Sequence, residues 1–477
     1  MKIFFKIILI SVTLISVVQA QKVLTLKDAI SIALKESYGI KSAEYSLESS
    51  KKSLEAVKLG LRTSVDMKFN LPSYSRTLSS QFNPNTGSEE FYEIGYTTLQ
   101  GQLFFTQPIA FTNGTFSLVG TMWKRNQFSA VKDIPTDYYS NLSLRLQQPL
   151  FTFNTLSADL ERAEINSEIA QRNYSKAEKD VIYNVTVAFF RLYQAKKNVE
   201  IAEEKVKQNE TQYNTAQNKF KAGLIAEVEA LQLEVDLAAS RNELLSTRTL
   251  YENAKNDFKV LIGIPIDENI EATATLEYNP VDIDLDQAVQ YAIANRTELK
   301  NAESEISLKN LSVDEVSSKG NVSAMLSANY GINKNDNQFS NIFRDFAEDR
   351  NVVFSVSVPI LDWGKNNRLV EAAEAQLDQA KLDYQNRGKE IKQEIIALVN
   401  RIKAAKARVE VLSKSVNLAQ KSYDISLSRF ESGNITSFDL AQMQIRLTDA
   451  KTNSLNALID YKLSIADLER KTMHKYQ

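Results

Sequence analysis

Residues 181–220 read VIYNVTVAFFRLYQAKKNVEIAEEKVKQNETQYNTAQNKF. Apolar or small residues recur in this stretch at alternating intervals of four and three, and Asn209 fills the one polar position of the series. Such spacing is typical of a coiled-coil seam. The surrounding residues, 154–262, contain no proline and one glycine, Gly223. We therefore predict a helix from Asn154 to Ala222, about 100 Å long, and a returning helix that ends at Ile262.

This arrangement occurs twice in the chain. Matching residues within 149–251 recur at 359–461, at a constant offset of 210, and those within 26–44 recur at 285–303, at an offset of 259. A register this long without gaps indicates duplication. The two offsets differ by 49 residues, so the first copy carries an insertion of that length between Gly60 and Phe153.

Between the helical segments the hydrophobic period changes to two. Residues 65–71 and 142–146 alternate between apolar and polar, as do 354–358 and, more weakly, 322–330. A membrane strand with one face in lipid shows this pattern, and so does a half-buried strand of a soluble sheet. Residues 60–153 contain 16 aromatic side chains among 94, against 9% in the whole chain. Aromatic residues concentrate at membrane interfaces, so we favour membrane strands.

Membrane strands impose a requirement on assembly. Each copy supplies too few strands to close a barrel, and an open sheet edge in lipid leaves backbone groups unpaired. We therefore expect several protomers to donate strands to one shared barrel. The helical hairpins would continue that barrel as a wall of packed helices.

Composition argues against most enzyme classes. Lysine and arginine total 57 against 59 acidic residues, so no basic excess points to nucleic acid. There is no cysteine and one histidine, His474, which removes thiolate chemistry and histidine-dependent triads. Glu203 and Glu204 are interpreted as a solvated helix face. We predict no catalytic residue, no cofactor and no metal site.

The first twenty residues resemble an export signal. Lys2 and Lys6 flank the start of an apolar run, 7–18, which is short for a membrane span and ends in Val18-Gln19-Ala20. We predict cleavage after Ala20, the alternative being a retained anchor. Because the chain has no cysteine, we expect no lipid anchor on the mature protein.

The two glycine turns carry the most specific motif. Residues 220–226 read FKAGLIA and residues 430–436 read FESGNIT, and an acidic residue follows each glycine by six positions, as Glu229 and Asp439. With the duplicated order of elements from about Leu24 to the C terminus, the chain resembles the TolC-type outer membrane efflux proteins, also called outer membrane factors.

The resemblance implies a mainly α fold with transmembrane β structure. Duplicated long helical hairpins would form a periplasmic α-barrel, joined to an outer-membrane β-barrel shared by a homotrimer in a Gram-negative bacterium. The protein would be the passive exit duct of a tripartite system that exports small molecules. Its partners would be outer membrane lipid, a periplasmic adaptor (membrane fusion) protein and, through the adaptor, an inner-membrane pump or ABC transporter.

The resemblance also assigns functional residues. The family's acidic aperture maps to Glu229 and Asp439, but Gln442 stands at the next acidic position. Ile435 and Phe430 replace the family's bracing arginine and tyrosine. An acidic ring would attract cations; alternatively, the two acids only begin the returning helices. Our hypothesis is a mouth held shut mainly by helix packing. The adaptor-contacting tips would comprise Phe220, Gly223, Leu224, Ile225, Phe430, Gly433, Asn434 and Ile435.

The insertion leaves the number of strands open. Gln107-Pro108 and Gln148-Pro149 look like two copies of a strand-ending motif, and Asn113-Gly114 is a hairpin signal. If all the strands enter the barrel, six per protomer would give a trimer a barrel of 18 strands, whereas the family usually has 12. In the alternative arrangement, the added hairpin lies outside the barrel. Residues 79–90 and 124–137 are expected to be surface loops.

The predicted organisation has eight parts. They are a signal peptide at 1–20, N-terminal helices of the first repeat at 21–62, its membrane strands with the insertion at 63–153, its long hairpin at 154–263, a linker at 264–282, helices of the second repeat at 283–318, its membrane strands at 319–362, and its long hairpin with the tail at 363–477.

Of two other functions, one fits the sequence equally well and the other fits it less well. An exit duct for type I protein secretion shares the same architecture, and the sequence does not separate it from small-molecule efflux. A periplasmic coiled-coil structural or adaptor protein without a pore is the other class. Adaptors usually carry one hairpin within a lipoyl-like β domain, whereas here the whole unit is duplicated.

Overall fold

The computed structural model describes residues 22–83, 86–129, 135–273 and 277–476. The predicted signal peptide, residues 1–20, lies outside them. Within the described part of the chain, no helix combines the length and the apolar character needed to cross a membrane.

Eight α-helices occupy most of the described residues, and their bounds confirm the duplication. The helices α3 and α4 recur 210 residues later, to the residue, as α7 and α8, and α1 recurs 259 residues later as α5. The predicted ends of the long helices are correct within two residues. The helices are α1 (Leu26–Glu36), α2 (Tyr38–Gly60), α3 (Thr155–Lys221), α4 (Glu227–Ile262), α5 (Leu285–Asn295), α6 (Thr297–Ser318), α7 (Lys365–Glu431) and α8 (Ser437–Thr472).

In the described ranges, eight strands form two sheets. A short parallel pair joins β1 to β6, and six antiparallel strands form one sheet in the order β2-β3-β4-β5-β7-β8. The inserted hairpin is therefore part of the main sheet. The strands are β1 (Lys22–Leu24), β2 (Ser64–Asn83), β3 (Ser88–Ile109), β4 (Gly114–Ser129), β5 (Asp137–Leu150), β6 (Ile270–Ala272), β7 (Ser323–Asp336) and β8 (Ala347–Ser357).

The predicted loop character of residues 79–90 and 124–137 is wrong for most of their described residues, while residues 84–85 and 130–134 lie outside the described part of the chain. The strands β2 and β3 continue to Asn83 and from Ser88, and β4 continues to Ser129. Their polar side chains pair across the strands: the hydroxyl of Ser80 donates to Glu89 at 3.0 Å, and Arg125 donates to Asp137 at 2.6 Å. Polarity indicated contact with water, which a paired strand also permits.

The six-stranded sheet has one apolar and one polar face. Because side chains alternate along a strand, each row of directly opposed residues lies on one face. One row on the apolar face is Val65, Phe105, Leu118, Leu144 and Tyr330, and it ends on β8 at Arg350. The adjacent row on the polar face is Ser64, Thr106, Ser117, Arg145, Asn329 and Asn351.

The chain divides into two compact units, of which the second comprises residues 45–172 and 297–388. It contains the six-stranded sheet and the adjoining helical segments. Arg162 on α3 donates to Glu315 on α6 at 2.6 Å. The guanidinium of Arg172 donates to Asn301 at 3.0 Å and to Ser304 at 2.6 Å. These bonds connect the first repeat to the second within this unit.

The first unit comprises residues 22–44, 173–296 and 389–476 of the described chain and has its own apolar core. Aromatic rings of α3 and α4 meet there, with Phe189 and Phe258 edge to face at a centroid distance of 6.0 Å. Such a ring pair adds about 0.5–1.5 kcal/mol to the burial of its apolar area. The buried side chains of this core include Leu24, Ala29, Ala33, Val185, Phe189, Leu192, Phe258, Ile262 and Ile270.

A carboxylate of α7 secures the end of α8 in this unit. Glu394 accepts hydrogen bonds from Arg296 at 2.8 Å and from Lys471 at 2.9 Å. Burial by itself raises the pKa of Glu394, but the bonds from Lys471 and Arg296 outweigh it and leave the pKa below its usual value. The charged form is therefore more favourable in the folded protein than in the unfolded chain.

We expect Glu394→Gln to lower the free energy of unfolding at pH 7 by roughly 1 kcal/mol, since the site is partly exposed. Because the pKa of Glu394 is lower in the folded protein than in the unfolded chain, its carboxylate stabilises the folded state at pH values above the unfolded pKa. This stabilisation is lost as the pH falls through the folded pKa. The difference from the parent protein should therefore shrink between pH 5 and pH 3. Denaturant unfolding across this range measures it. Glu234→Gln, an exposed substitution on α4, is the control, and an equal pH profile for both variants contradicts the assignment.

Candidate functional site

The two helix turns have nearly the same backbone geometry. Gly223 and Gly433 adopt φ values of 76° and 77°, in the left-handed region where a side chain is strained. After each long helix, a backbone hydrogen bond reaches back five residues: Leu224 N–H donates to Lys219 O at 2.9 Å, and Asn434 N–H donates to Arg429 O at 2.8 Å. This is the Schellman arrangement, and it explains why both motifs require glycine.

The predicted tip residues differ in accessibility. Gly223, Leu224, Gly433 and Asn434 are exposed, and Ile225 and Ile435 are half-buried. The equivalent aromatic residues of the two motifs do not share an environment. Phe220 is 39% exposed, whereas Phe430 is only 3% exposed. In this conformation Phe430 is therefore a packing residue, and of the two equivalent aromatic side chains only Phe220 is accessible.

Phe430 belongs to a core that joins the two hairpins. Ala216 and Leu233 enter it from α3 and α4, while Tyr423 and Leu440 enter it from α7 and α8. Burial raises the pKa of Tyr423, an effect larger than the opposing one of its hydrogen bond from Gln212. The phenol is therefore neutral at physiological pH, and apolar packing dominates this contact.

Four polar contacts run beside this core from α3 to the second hairpin. Lys451 donates to Glu204 at 2.8 Å, and Gln444 donates to Gln208. Further along α3, Gln212 donates to the Tyr423 hydroxyl at 3.4 Å, and Lys219 donates to the carbonyl of Phe430. The α3 positions 204, 208, 212 and 219 share one helix face, since they are separated by four, four and seven residues. We call these contacts the inter-hairpin ladder.

Lys219 forms the last contact of the inter-hairpin ladder before the turns. Its ammonium lies 4.6 Å from the centroid of the Phe430 ring, in addition to its hydrogen bond to the carbonyl of the same residue. A cation over an aromatic ring contributes about 0.5–2 kcal/mol, depending on desolvation. The family's bracing pair was expected at positions 430 and 435. Here a lysine of the first hairpin contacts residue 430 instead.

Sequence reasoning missed the inter-hairpin ladder. Glu204 is exposed, as predicted, but the sequence did not indicate that Lys451 binds both of its carboxylate oxygens. A polar residue next to a coiled-coil seam looks the same whether water or another helix faces it. The one available signal was the recurrence of polar residues on the α3 face that carries Gln208 and Gln212.

Of the predicted aperture residues, Asp439 has a defined structural role. It forms a capping box with Thr436 at the start of α8: the Asp439 N–H donates to the Thr436 hydroxyl at 3.2 Å, and the Thr436 N–H donates to the Asp439 carboxylate at 3.2 Å. At the start of α4, Ala226 has no side-chain cap, and Glu229 is half-buried. Gln442, one turn after Asp439, is also half-buried.

The capping box predicts a measurable coupling. Thr436→Ala and Asp439→Ala should each destabilise the start of α8 by about 1 kcal/mol, the usual cost of losing a cap. The double variant should cost less than the sum, because both changes remove the same reciprocal bonds. Hydrogen exchange of the amides of residues 437–440 measures this, with Ser432→Ala as the control. Additive costs contradict the shared cap.

Across residues 22–83, 86–129, 135–273 and 277–476, no three His, Cys, Asp or Glu side chains are grouped so that they could hold a metal ion. His474 is exposed and stacks on Tyr291 at a centroid distance of 4.2 Å. What the tips do provide is a pair of similar turns held together by packing and by the inter-hairpin ladder.

Comparison with known proteins agrees with this organisation. A family model described as outer membrane efflux protein matches residues 117–264 and 288–472. Outer membrane protein TolC of Vibrio cholerae serotype O1 is 23% identical over 323 residues, which are 65% of this chain and 72% of that protein.

Three solved structures share the fold. The CmeC outer membrane channel of Campylobacter jejuni superposes with a TM-score of 0.69 at 17% identity, covering 95% of this chain and 86% of that one. A membrane protein from Pseudomonas aeruginosa gives 0.72 at 13% identity, with coverages of 94% and 90%. The open state of the MtrE outer membrane channel of Neisseria gonorrhoeae gives 0.67 at 16% identity, with coverages of 94% and 88%.

At these identities the structural likeness establishes the fold, and the family model establishes the relationship. That model covers both long hairpins and both glycine turns. The chain belongs to the outer membrane efflux protein family.

Proposed function

We propose that this protein is the passive exit duct of a tripartite efflux system that exports small molecules across the outer membrane. Members of its family are transport ducts without enzymatic activity, and they form trimeric channels that work with adaptor proteins and pumps. Here the duct is a homotrimer that reaches an inner-membrane pump through a periplasmic adaptor. The leader is removed after Ala20 on export.

The observation that carries the proposal is the two-faced sheet. An apolar row runs across five neighbouring strands from Val65 to Tyr330, while the adjacent row from Ser64 to Asn351 is polar. A wall between lipid and a water-filled passage needs this division, because lipid-facing side chains must be apolar and lumen-facing ones can be hydrated. A sheet packed in a soluble core would instead have its apolar face covered, but Val65, Met67 and Phe69 are exposed.

Exposed apolar stripes on the long hairpins support assembly of several copies. On the first hairpin, Leu224, Val228, Leu231 and Val235 are exposed at intervals of four, three and four. On α7, Val411, Leu418 and Ile425 are exposed at intervals of seven. These are the intervals of a coiled-coil seam. We assign the stripes to packing between neighbouring protomers of the trimer.

The tips are the proposed contact with the adaptor. Leu224 is 72% exposed, and Phe220 lies beside it at the end of α3, so the first tip presents an apolar surface. Phe430 contributes from inside, by holding the second tip against the first. The aperture between the tips is closed in this proposal by the helix packing and the inter-hairpin ladder, with Glu229, Asp439 and Gln442 near its rim.

Purification from outer membranes in mild detergent, followed by native mass and bilayer conductance, tests the proposal. We expect a trimer of the mature chain that conducts ions. A soluble monomer without conductance would rule out the duct. Deletion of the protein should also raise the sensitivity of the cells to small toxic compounds. If deletion instead abolishes secretion of a polypeptide and leaves drug sensitivity unchanged, the duct serves protein secretion.

A further inference from the structure

The main sheet ends in two strands that have a neighbour on one side within the described chain, β2 and β8. A strand edge in lipid needs a partner for its N–H and C=O groups. We propose that β8 of one copy pairs antiparallel with β2 of a second copy, with Val356 opposite Phe69. The inference rests on the proposed function and specifies it: three copies of six strands would close a wall of eighteen.

The duplication supplies the register. Within one chain, β5 of the first repeat pairs with β7 of the second, and Leu146 lies opposite Ala328. The equivalent of β5 at an offset of 210 is β8, and the equivalent of β7 at an offset of −259 is β2. Transferring the pairing by these offsets places residues 355–360 of one copy opposite residues 70–65 of the next.

The side-chain faces agree with this register. Even-numbered β8 residues such as Val356 and odd-numbered β2 residues such as Phe69 lie on the apolar face of the sheet. The transferred register pairs Val356 with Phe69, Val358 with Met67 and Ile360 with Val65, so apolar residues meet on that face. A slip by one residue would place apolar side chains opposite Lys68 and Asp66 on the wrong face. The two offsets alone did not require the paired residues of β8 and β2 to lie on the same face of the sheet.

The edge strand β8 also differs from its paired equivalent β5 as the loss of a neighbour predicts. The strand β5 continues to Leu150, which is half-buried beside β7, whereas β8 ends at Ser357, three residues before the equivalent Ile360. Ile360 is 93% exposed. Pro359 is no obstacle to pairing, because the equivalent Pro149 lies within β5 opposite Met325.

The inserted hairpin therefore belongs in the wall. The alternative is a wall of four strands per protomer, with the hairpin β2–β3 outside it. In that arrangement β8 would have to pair with β4 of the next copy. The edge of β4 is already occupied by β3 along its full length, from Ile94 opposite Ser129 to Ile109 opposite Gly114. Since barrel diameter grows with strand number, eighteen strands give a passage about half as wide again as twelve.

Cysteine cross-linking tests the register, because the chain has no cysteine of its own. Ser357→Cys combined with Lys68→Cys places two thiols opposite each other on the polar face. Oxidation with copper phenanthroline in outer membranes should give covalent dimers and trimers on non-reducing gels. The matched control, Ser357→Cys with Asp66→Cys, is two residues out of register and should react at least tenfold more slowly. Ser355→Cys with Asn70→Cys is a second in-register pair, for use if the first does not assemble.

Native mass and bilayer conductance of the same samples distinguish a failure of the proposed strand register from a failure of the proposed duct. A conducting trimer that cross-links at 357–68 or at 355–70, and not in the control, supports the register. A conducting trimer without these links overturns it and leaves the duct intact. So does efficient cross-linking of Ser357→Cys to Ser117→Cys on β4, the position that an offset of 210 places opposite residue 357, which would indicate the narrower wall. A monomer that does not conduct overturns the duct itself.

Discussion

Replacing Lys219 with methionine should open the periplasmic end of the proposed duct. Methionine retains the apolar stem and removes both the hydrogen bond to the Phe430 carbonyl and the cation at 4.6 Å from the Phe430 ring. Losing these two contacts costs the closed state about 1.5 kcal/mol per protomer. That is a shift of about tenfold in the ratio of open to closed tips. Single-channel conductance and the fraction of time spent open should both increase.

Two variants make this test specific. Lys219→Arg keeps a cation and a donor, so it should retain most of the closed population. Lys221→Met removes an exposed lysine two residues further along the chain and should leave conductance unchanged. Equal conductance for Lys219→Met and the parent protein would show that the apolar core around Phe430 holds the tips without the lysine.

Replacing Gly263 with alanine should destabilise the first unit more than any other glycine substitution at a helix end. Gly263 ends α4 with φ at 82°, and a Cβ there would lie 2.4 Å from the carbonyl oxygen of Glu36. The obstacle is backbone at the end of α1, so it cannot rotate away. We expect a loss of more than about 3 kcal/mol, because strain at positive φ adds to the clash.

Gly223→Ala is the matched comparison. Its φ of 76° is similar, but a Cβ added there would meet no atom of a surrounding residue within 4 Å, so only the backbone strain of about 1–2 kcal/mol applies. Thermal unfolding followed by circular dichroism gives the two costs. Hydrogen exchange should also increase in residues 26–36 of Gly263→Ala alone. If the two variants lose equal stability, the contact between α1 and the end of α4 is not tight in solution.

The helical part of the fold could be predicted from sequence because its signals are local. A seam with intervals of four and three, uninterrupted by proline, specifies a helix, and a glycine at the required left-handed position ends it. The duplication reinforced each boundary, since α3 with α4 and α7 with α8 had to satisfy the same pattern. The error at residues 79–90 arose because polarity was taken to indicate a loop.

The neighbours of each strand could not be predicted in the same way. Alternation identifies a strand and its two faces, but not the strand beside it, so the place of the inserted hairpin stayed open between two arrangements. Backbone pairing in the structure places β3 and β4 between β2 and β5 in one sheet. Hydrogen bonds between strands are made by groups that every residue carries, and the sequence therefore contains little record of them.

The amino-acid order was sufficient for the duplicated hairpins, the glycine turns and the membrane-like alternation, all of which depend on residues close together in the chain. How the two hairpin tips meet depends on long-range packing. Lys219 and Phe430 are 211 positions apart, and their equivalents in the other repeat, Arg429 and Phe220, have no such contact among the described residues. The two copies share a pattern but not their surroundings, because packing one hairpin against the other gives equivalent residues different neighbours.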